Sequence, residues 1–395
     1  MLRQFWIPEL KRRGSDGLRR AIVCLALVVL SFFLFAFPVY AEQTVDIGEA
    51  EWESFENSVP DDIRDKLPSG ALDSSNDFSQ KVSEMSTGEY IMNVIFDVLG
   101  AQMGSSVKLL LVICSLLLIS AVFNTAGEGM GNPSLSAAMR FCSVGALISV
   151  AVYVQYSHFE LLESFFEKIG GMMNGMVPVA AGIWAMGGNV STAGVGSASL
   201  YVILAVSREL WAKTVIPVCC VMTVLGFCDA LSDEVKTGRI MGAVKKIYNF
   251  VLGLVMTVLL SSLAAQTTLS SAADTTTARA ARLVSGAVIP VVGGSVGETF
   301  RTLASGVSYL KSVFGIGGII MIVILVLPVL ISTLLTRFAF ILCSGIADML
   351  GCQGEAKFLE NMGEVYGIMV AVISGVAVMF ILSLWIFVQT VVAVM

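Results

Sequence analysis

Four prolines set inside apolar stretches, Pro178, Pro217, Pro290 and Pro328, are the residues of this sequence whose type and spacing carry chemistry. The chemistry belongs to the backbone. Proline has no N–H to donate and its ring crowds the preceding helical turn, so a carbonyl upstream loses its partner. In hydrocarbon such a carbonyl must be satisfied by neighbouring protein or by water in a cavity. The prolines also recur in matched settings. Met176-Val177-Pro178-Val179-Ala180-Ala181-Gly182 is similar to Val288-Ile289-Pro290-Val291-Val292-Gly293-Gly294, and Pro217 and Pro328 follow their partners by 39 and 38 residues. Lys246-Ile247-Tyr248 and Glu364-Val365-Tyr366 then each open another apolar run. The spacing predicts related halves, Gly170 to Leu263 and Ser285 to Leu384. Broken or re-entrant helices in two matching halves point to a transport path, with Pro178, Gly182, Pro217, Pro290, Gly293, Gly294 and Pro328 as its elements. The competing reading is that each proline kinks a packed helix.

A second polar feature lies between the halves. Ten of the 25 residues from Ser261 to Ser285 are Ser or Thr, with Asp274, Arg279 and Arg282 among small side chains. Such a stretch does not face lipid. An outer loop, a helix lining a wet passage and a partner-binding surface are all open readings, with Asp274, Thr275, Thr276, Thr277, Arg279 and Arg282 as candidate lining. Arg279 and Arg282, one helical turn apart, are placed to pair with Asp274 or Glu298. Enzyme chemistry finds no purchase. There is no G-x-x-x-x-G-K-[ST] phosphate loop and no H-E-x-x-H, and His158 stands without a second histidine. The eight cysteines form no C-x-x-C pair and lie mostly in apolar runs. No catalytic residue, metal or cofactor is expected.

These residues need elements to hold them, and composition says which. Hydrophobic residues are 56% of the 395 and charged residues 14%, where a soluble domain carries roughly a quarter charged. Lipid is the solvent for much of the chain, because the apolar residues gather into runs of about 20, the length that crosses a bilayer core. The expected fold is all-α and polytopic, with six full spans plus shorter re-entrant or broken elements and an internal repeat. Nucleic acid is not an expected partner.

Basic residues from Arg3 to Arg20 precede the apolar run Ala21 to Phe37 and Pro38-Val39-Tyr40-Ala41, a secretory signal pattern. Cleavage is expected between Ala41 and Glu42, with an uncleaved signal anchor as the alternative for 1–41. From Glu42 to Asp97 fourteen acidic residues face only Arg64, Lys66 and Lys81, so the segment is expected outside the cytoplasmic membrane. Residues 42–106 read as an acidic arm and linker, the linker running from Leu67 to Ser86. Trp52, Phe55 and Val59 suit one side of a short helix that docks on a partner. A helical hairpin at 107–156 follows, then the first half at 157–263, the polar stretch at 264–284 and the second half at 285–395. Ser157 to Gly171 has the pattern of an amphipathic helix at the outer face. Lys236, Arg239, Lys245 and Lys246 mark a cytoplasmic connection. Glycine pairs four apart, among them Gly171 with Gly175 and Gly363 with Gly367, allow close helix approach.

The run from Thr277 through Arg279, Arg282, Pro290 and Gly294, continuing to Tyr309-Leu310-Lys311 and Gly315-Ile316-Gly317-Gly318, resembles the stage III sporulation protein AE family of spore-forming bacteria. The resemblance extends from about Tyr90 to the carboxyl end. It implies a multi-pass protein of the mother-cell membrane around the forespore. It implies a channel or permease-like subunit of a complex joining the two cells and needed for forespore development. The implied partners are the other stage III sporulation A-series proteins and stage II sporulation protein Q. A non-conducting membrane scaffold for that complex and a stand-alone secondary transporter are the alternatives.

Overall fold

The computed structural model describes residues 49–129, 133–231, 238–288 and 293–389. Among them every regular element is helical. Three short helices come first: α1 (Glu49–Ser58), α2 (Asp61–Arg64) and α3 (Ser75–Met85). Long helices follow: α4 (Gly88–Gly129), α5 (Pro133–Met186), α6 (Ser197–Leu231), α7 (Gly238–Val288), α8 (Gly293–Met349) and α9 (Gln353–Gln389), with a π-helical turn at Thr192–Gly196 ahead of α6. Six helices are long and apolar enough to cross a membrane, and Thr192–Val206 is a shorter apolar helix. This is the expected polytopic all-α class.

The long helices exceed any bilayer. At 54 and 57 residues, α5 and α8 extend about 80 Å at 1.5 Å per residue, against about 30 Å of hydrocarbon. Exposed apolar side chains mark where lipid fits. Among the described side chains, on α5 they are Phe141, Val152, Tyr153 and Tyr156, with no other until Met186; on α8 they are Phe338, Ile341, Leu342 and Met349. Beyond that belt both helices turn their apolar faces onto protein, and the arm packs there.

The arm docks on its own chain, where the sequence led us to expect a separate partner. Trp52, Phe55, Val59 and Ile63 are buried together with Phe78, Val82 and Met85. Phe55 meets Phe78 and Phe314 edge-on at ring distances of 5.9 and 5.2 Å. Gly175 of α5 and Gly317 of α8 make this possible. A Cβ at Gly175 would fall 2.0 Å from Ser58 Oγ, and one at Gly317 would fall 2.4 Å from Phe78. The Trp52 indole N–H donates to the Leu72 carbonyl at 3.1 Å, and Lys168 pairs with Asp62.

Other expectations are corrected. The stretch Leu67 to Ser86 holds α3, whose Ser74 cap accepts from the Asp77 N–H at 3.1 Å; three apolar residues at helical spacing suffice among the polar ones. Pro178, Pro217 and Pro328 lie inside continuous helices and break none of them. An interior proline costs about 3 kcal/mol, which the packing of helices this long exceeds. Ser261 to Ser285 is no outer loop but part of α7. Its hydroxyls bond back to carbonyls of their own helix, Thr267 to Leu263 and Thr277 to Ala273 among them, so a Ser/Thr-rich sequence stays helical. The divisions at 106/107, 156/157, 263/264 and 284/285 therefore fall within helices. Ala41, Glu42 and Pro290 lie outside the described residues, as do the side chains of 278–304.

Helices α6–α7 and α8–α9 form two hairpins of one orientation. The end of α6 and the start of α7 both reach the start of α9: Asp229 accepts from Asn361 at 3.4 Å, and Lys245 pairs with Glu364. Pro217 and Pro328 occupy the first helices of these hairpins, Tyr248 and Tyr366 the second. The turn from α8 to α9 is tight because Gly351, at φ +77°, lets Cys352 N–H reach Ala347 O at 2.9 Å and Gly351 N–H reach Asp348 O at 3.1 Å.

Candidate functional site

Helices α5, α8 and α9 meet around His158, which α5 carries inward one residue after the lipid-facing Tyr156 and Ser157 pass out of the interface. Its Nδ1 lies 2.9 Å from the Val154 carbonyl and 3.4 Å from the Tyr366 hydroxyl. Its Nε2 lies 3.3 Å from Thr336 Oγ1 and 3.5 Å from Ser332 Oγ. With the proton on Nδ1, the ring donates to Val154 O and Nε2 accepts from the Thr336 hydroxyl. The Tyr366 ring stands edge-on to the imidazole at 5.0 Å. One turn back along α5, Gln155 Oε1 accepts from Thr223 Oγ1 at 2.9 Å, which ties in α6. Beside Thr336 sits Arg337, and Gly367 makes room for it, since a Cβ there would come within 3.3 Å of the guanidinium carbon.

The seam retains unused hydrogen-bonding capacity. Gln155 Nε2 and Arg337 Nε are buried without a partner, and each such atom costs about 1–3 kcal/mol. A polar line across three helix interfaces with open donors can position anions, water or polar solutes. It contains no nucleophile–base–orienter set. No group of three or more His, Cys, Asp or Glu able to hold a metal occurs among the described residues.

A cavity of about 80 Å³ lies one helical turn from the seam along α5 and α8. Its lining includes Leu161 and Phe165 of α5, Ile324 and Pro328 of α8, and Asp62, Ile63 and Lys66 from the arm. Leu161 is one turn from His158, and Pro328 is one turn from Ser332. Because Pro328 has no N–H, the Ile324 carbonyl lacks its helical donor, and both residues border a space that holds about two waters. The other prolines are placed differently. Pro178 and Pro217 are exposed, and Gly182 is half-buried with Glu51 Cγ 4.0 Å from where its Cβ would stand. Gly293 and Gly294 open α8.

Among the described side chains of the polar stretch, that of Asp274 acts as a cap. Asp274 is buried and accepts from Ser191 N–H at 2.9 Å, Thr192 N–H at 2.8 Å and Thr192 Oγ1 at 2.8 Å. It thereby anchors the π-helical turn before α6 on α7. Thr275 is half-buried, while Thr276 and Thr277 are exposed. Arg279 and Arg282 lie within α7, and their side chains are outside the described set. The seam escaped sequence reasoning because its members are spread from Gln155 to Tyr366 and each stands alone in its own apolar run. The one usable signal was polar residues within spans: His158, Arg337 and Gln155.

The family model for stage III sporulation protein AE matches residues 74–391. Stage III sporulation protein AE of Bacillus subtilis (strain 168) is 22% identical over 209 residues, covering 53% of this chain and 52% of that protein. The aligned part thus spans about half the length of that relative. No solved structure matches. A match over most of the chain, on a bundle of six membrane-length helices, leads to one conclusion: the chain belongs to the stage III sporulation protein AE family.

Proposed function

We propose that the protein is the membrane-embedded channel or permease-like subunit of a sporulation complex linking mother cell and forespore and needed for forespore development. In this reading it resides in the mother-cell membrane around the forespore, with the acidic arm in the intermembrane space. The other stage III A-series proteins and stage II sporulation protein Q are its partners. The observation that carries the reading is the polar seam at His158, Thr336 and Tyr366, one helical turn from a cavity that the arm helps to line. Polar groups with open capacity inside an apolar bundle are expensive, and in membranes they mark solute or ion pathways. In this reading the arrangement is a closed state, held by the pairing of Asp62 with Lys168, both of which line the cavity.

The test uses purified protein in liposomes loaded with small fluorescent and ionic tracers. Leakage is expected to rise when Asp62→Ala and Lys168→Ala loosen the mouth, and to fall again when Thr336→Val and Ser332→Ala are added. Tight vesicles in every case, together with normal sporulation of seam variants, overturn the passage. A scaffold reading draws support from the tight packing of α8 on α9, where Gly363 and Gly367 face Ile341 and Arg337. It predicts those tight vesicles, and loss of complex assembly when the arm core is disrupted.

A further inference from the structure

We infer that the cavity shared by the arm, α5 and α8 binds one small monovalent anion of chloride size, held by Lys66 and Ser164. The space is the one that the proposed passage uses, but binding there needs no conduction, so the two readings can fail separately. Three charged residues line it: Asp62 and Lys66 of the arm and Lys168 of α5. Asp62 and Lys168 pair with each other. That pair is neutral, which leaves the lining one positive charge, the ammonium of Lys66, and Ser164 adds a hydroxyl donor from α5. The acidic neighbours Asp61, Asp65, Glu163 and Glu167 are exposed and take no part in the lining. Lys66 is held at its backbone, since its carbonyl accepts from the Tyr90 hydroxyl of α4 at 2.6 Å. Ile63, Phe165, Leu325 and Val329 are buried around the space, so packed walls fix its size.

Size and charge select the ligand. A volume of about 80 Å³ holds one halide-sized ion and one water, the water donating to the Ile324 carbonyl that Pro328 leaves without a helical donor. A tetrahedral oxyanion is too large, and as a dianion it would bring two negative charges to one positive. Metal cations meet two ammonium groups. A bond from an ammonium to an anion is charge-assisted, about twice as strong as one between neutral groups. Because the arm and the bundle each supply part of the lining, the ion binds the docked arm more tightly than the free one. It therefore stabilises docking by mass action.

The measurement is equilibrium binding of chloride-36 to the full chain in nanodiscs at neutral pH, with ionic strength held by sodium gluconate, whose anion is too large for the space. Saturable binding is expected, displaced by sodium bromide. Lys66→Met, which keeps an unbranched stem and removes the charge, weakens it about tenfold or more. Ser164→Ala weakens it about threefold and serves if the methionine variant does not fold. Protease cleavage within the arm is expected to slow severalfold in chloride relative to gluconate. The site is disproved if the wild type shows no bromide-displaceable chloride-36, if the folded variants bind as the wild type does, or if chloride leaves cleavage of the arm unchanged. Leaky vesicles without chloride binding would remove this site and keep the passage, and tight vesicles with chloride binding would do the reverse.

Discussion

Helices α8 and α9, like α4 and α7, are long and apolar enough to cross a membrane, yet the two pairs live in different surroundings. In the most apolar windows of α8 and α9, 78% and 67% of residues are buried inside the protein; in α4 and α7 the shares are 17% and 11%. The first pair forms the spine on which the arm, α5 and α6 pack. The second presents Phe96, Leu118 and Val122, or Phe250, Leu254 and Val258, outward. Apolar composition alone therefore does not tell lipid contact from protein contact. The small and polar residues between the apolar ones do. On α8 and α9, Gly317, Gly363 and Gly367 each have a neighbour's side chain where a Cβ would stand, whereas Gly253 on α7 and Gly100 and Gly104 on α4 have none.

The contrast is broken most sharply by truncating one phenylalanine on each side of it. Phe55→Ala removes a fully buried ring from the junction of arm and spine, with an expected loss of about 3–5 kcal/mol. Thermal unfolding and protease cleavage within 49–85 report it. Phe250→Ala on the outward face of α7, 70% exposed, should stay within about 0.5 kcal/mol, because lipid tails replace what the ring touched. Equal losses would mean that α7 is covered by protein in the membrane.

Asp274→Ala comes next. It strips the shared acceptor from two backbone N–H groups and one hydroxyl, at a cost of about 2–3 kcal/mol from a lost cap and stranded donors. Thr276→Ala, two residues after Asp274 and exposed, should cost about 0.5 kcal/mol or less. Hydrogen exchange at Ser191 and Thr192 separates the two. A polar stretch that lined a passage instead would show its largest effects at the exposed threonines.

Gly175→Ala probes the arm from the other side. Its Cβ would meet Ser58 Oγ at 2.0 Å and the Ser54 carbonyl at 3.1 Å. Overpacking of this kind costs about 1–3 kcal/mol. Gly171→Ala, four residues earlier with nothing within 4 Å, should stabilise α5 by up to about 1 kcal/mol through helix propensity. The two substitutions thus differ in sign within one glycine pair, and thermal unfolding reads the sign directly.

The pattern of that pair shows what the sequence can and cannot disclose. Gly-x-x-x-Gly at 171 and 175 is visible in the sequence, but which glycine is pressed depends on Ser58, more than a hundred residues away. Trp52, Phe55 and Val59 announce a buried face at helical spacing. Their partner, built from Gly175, Phe314 and Gly317, has no local signature. The six spans were legible because each apolar run is long. The broken-helix reading of the prolines was not borne out at Pro178, Pro217 and Pro328, since a local clash does not reveal how much packing holds a helix of 54 or 57 residues together. Glu355 of α9, buried where it accepts from Ser120 of α4 and Ser143 of α5, was hidden differently. Beside Lys357, Glu360 and Glu364 it reads as one charge in a solvated run, and only the three-dimensional meeting of Ser120 and Ser143 takes it out of water.

The smallest expected effect is the finest test of the seam. Tyr248 and Tyr366 occupy matching places in the two parallel hairpins, and each hydroxyl has a partner: Thr214 at 3.2 Å for Tyr248, His158 at 3.4 Å for Tyr366. Tyr366 is fully buried, while Tyr248 is half-buried. Tyr366→Phe keeps the edge-on ring contact and removes only the hydroxyl, so a loss of about 1 kcal/mol is expected. The His158 ring resonances in NMR should move with it. Tyr248→Phe, whose partner can turn to solvent or lipid headgroups, should cost less than half as much. If the two substitutions cost the same and His158 does not respond, then the tyrosines merely fill equivalent space in equivalent hairpins. The hydroxyl at Tyr366 would then do no more than its counterpart, and the seam would lose its claim to be the site that distinguishes the second hairpin from the first.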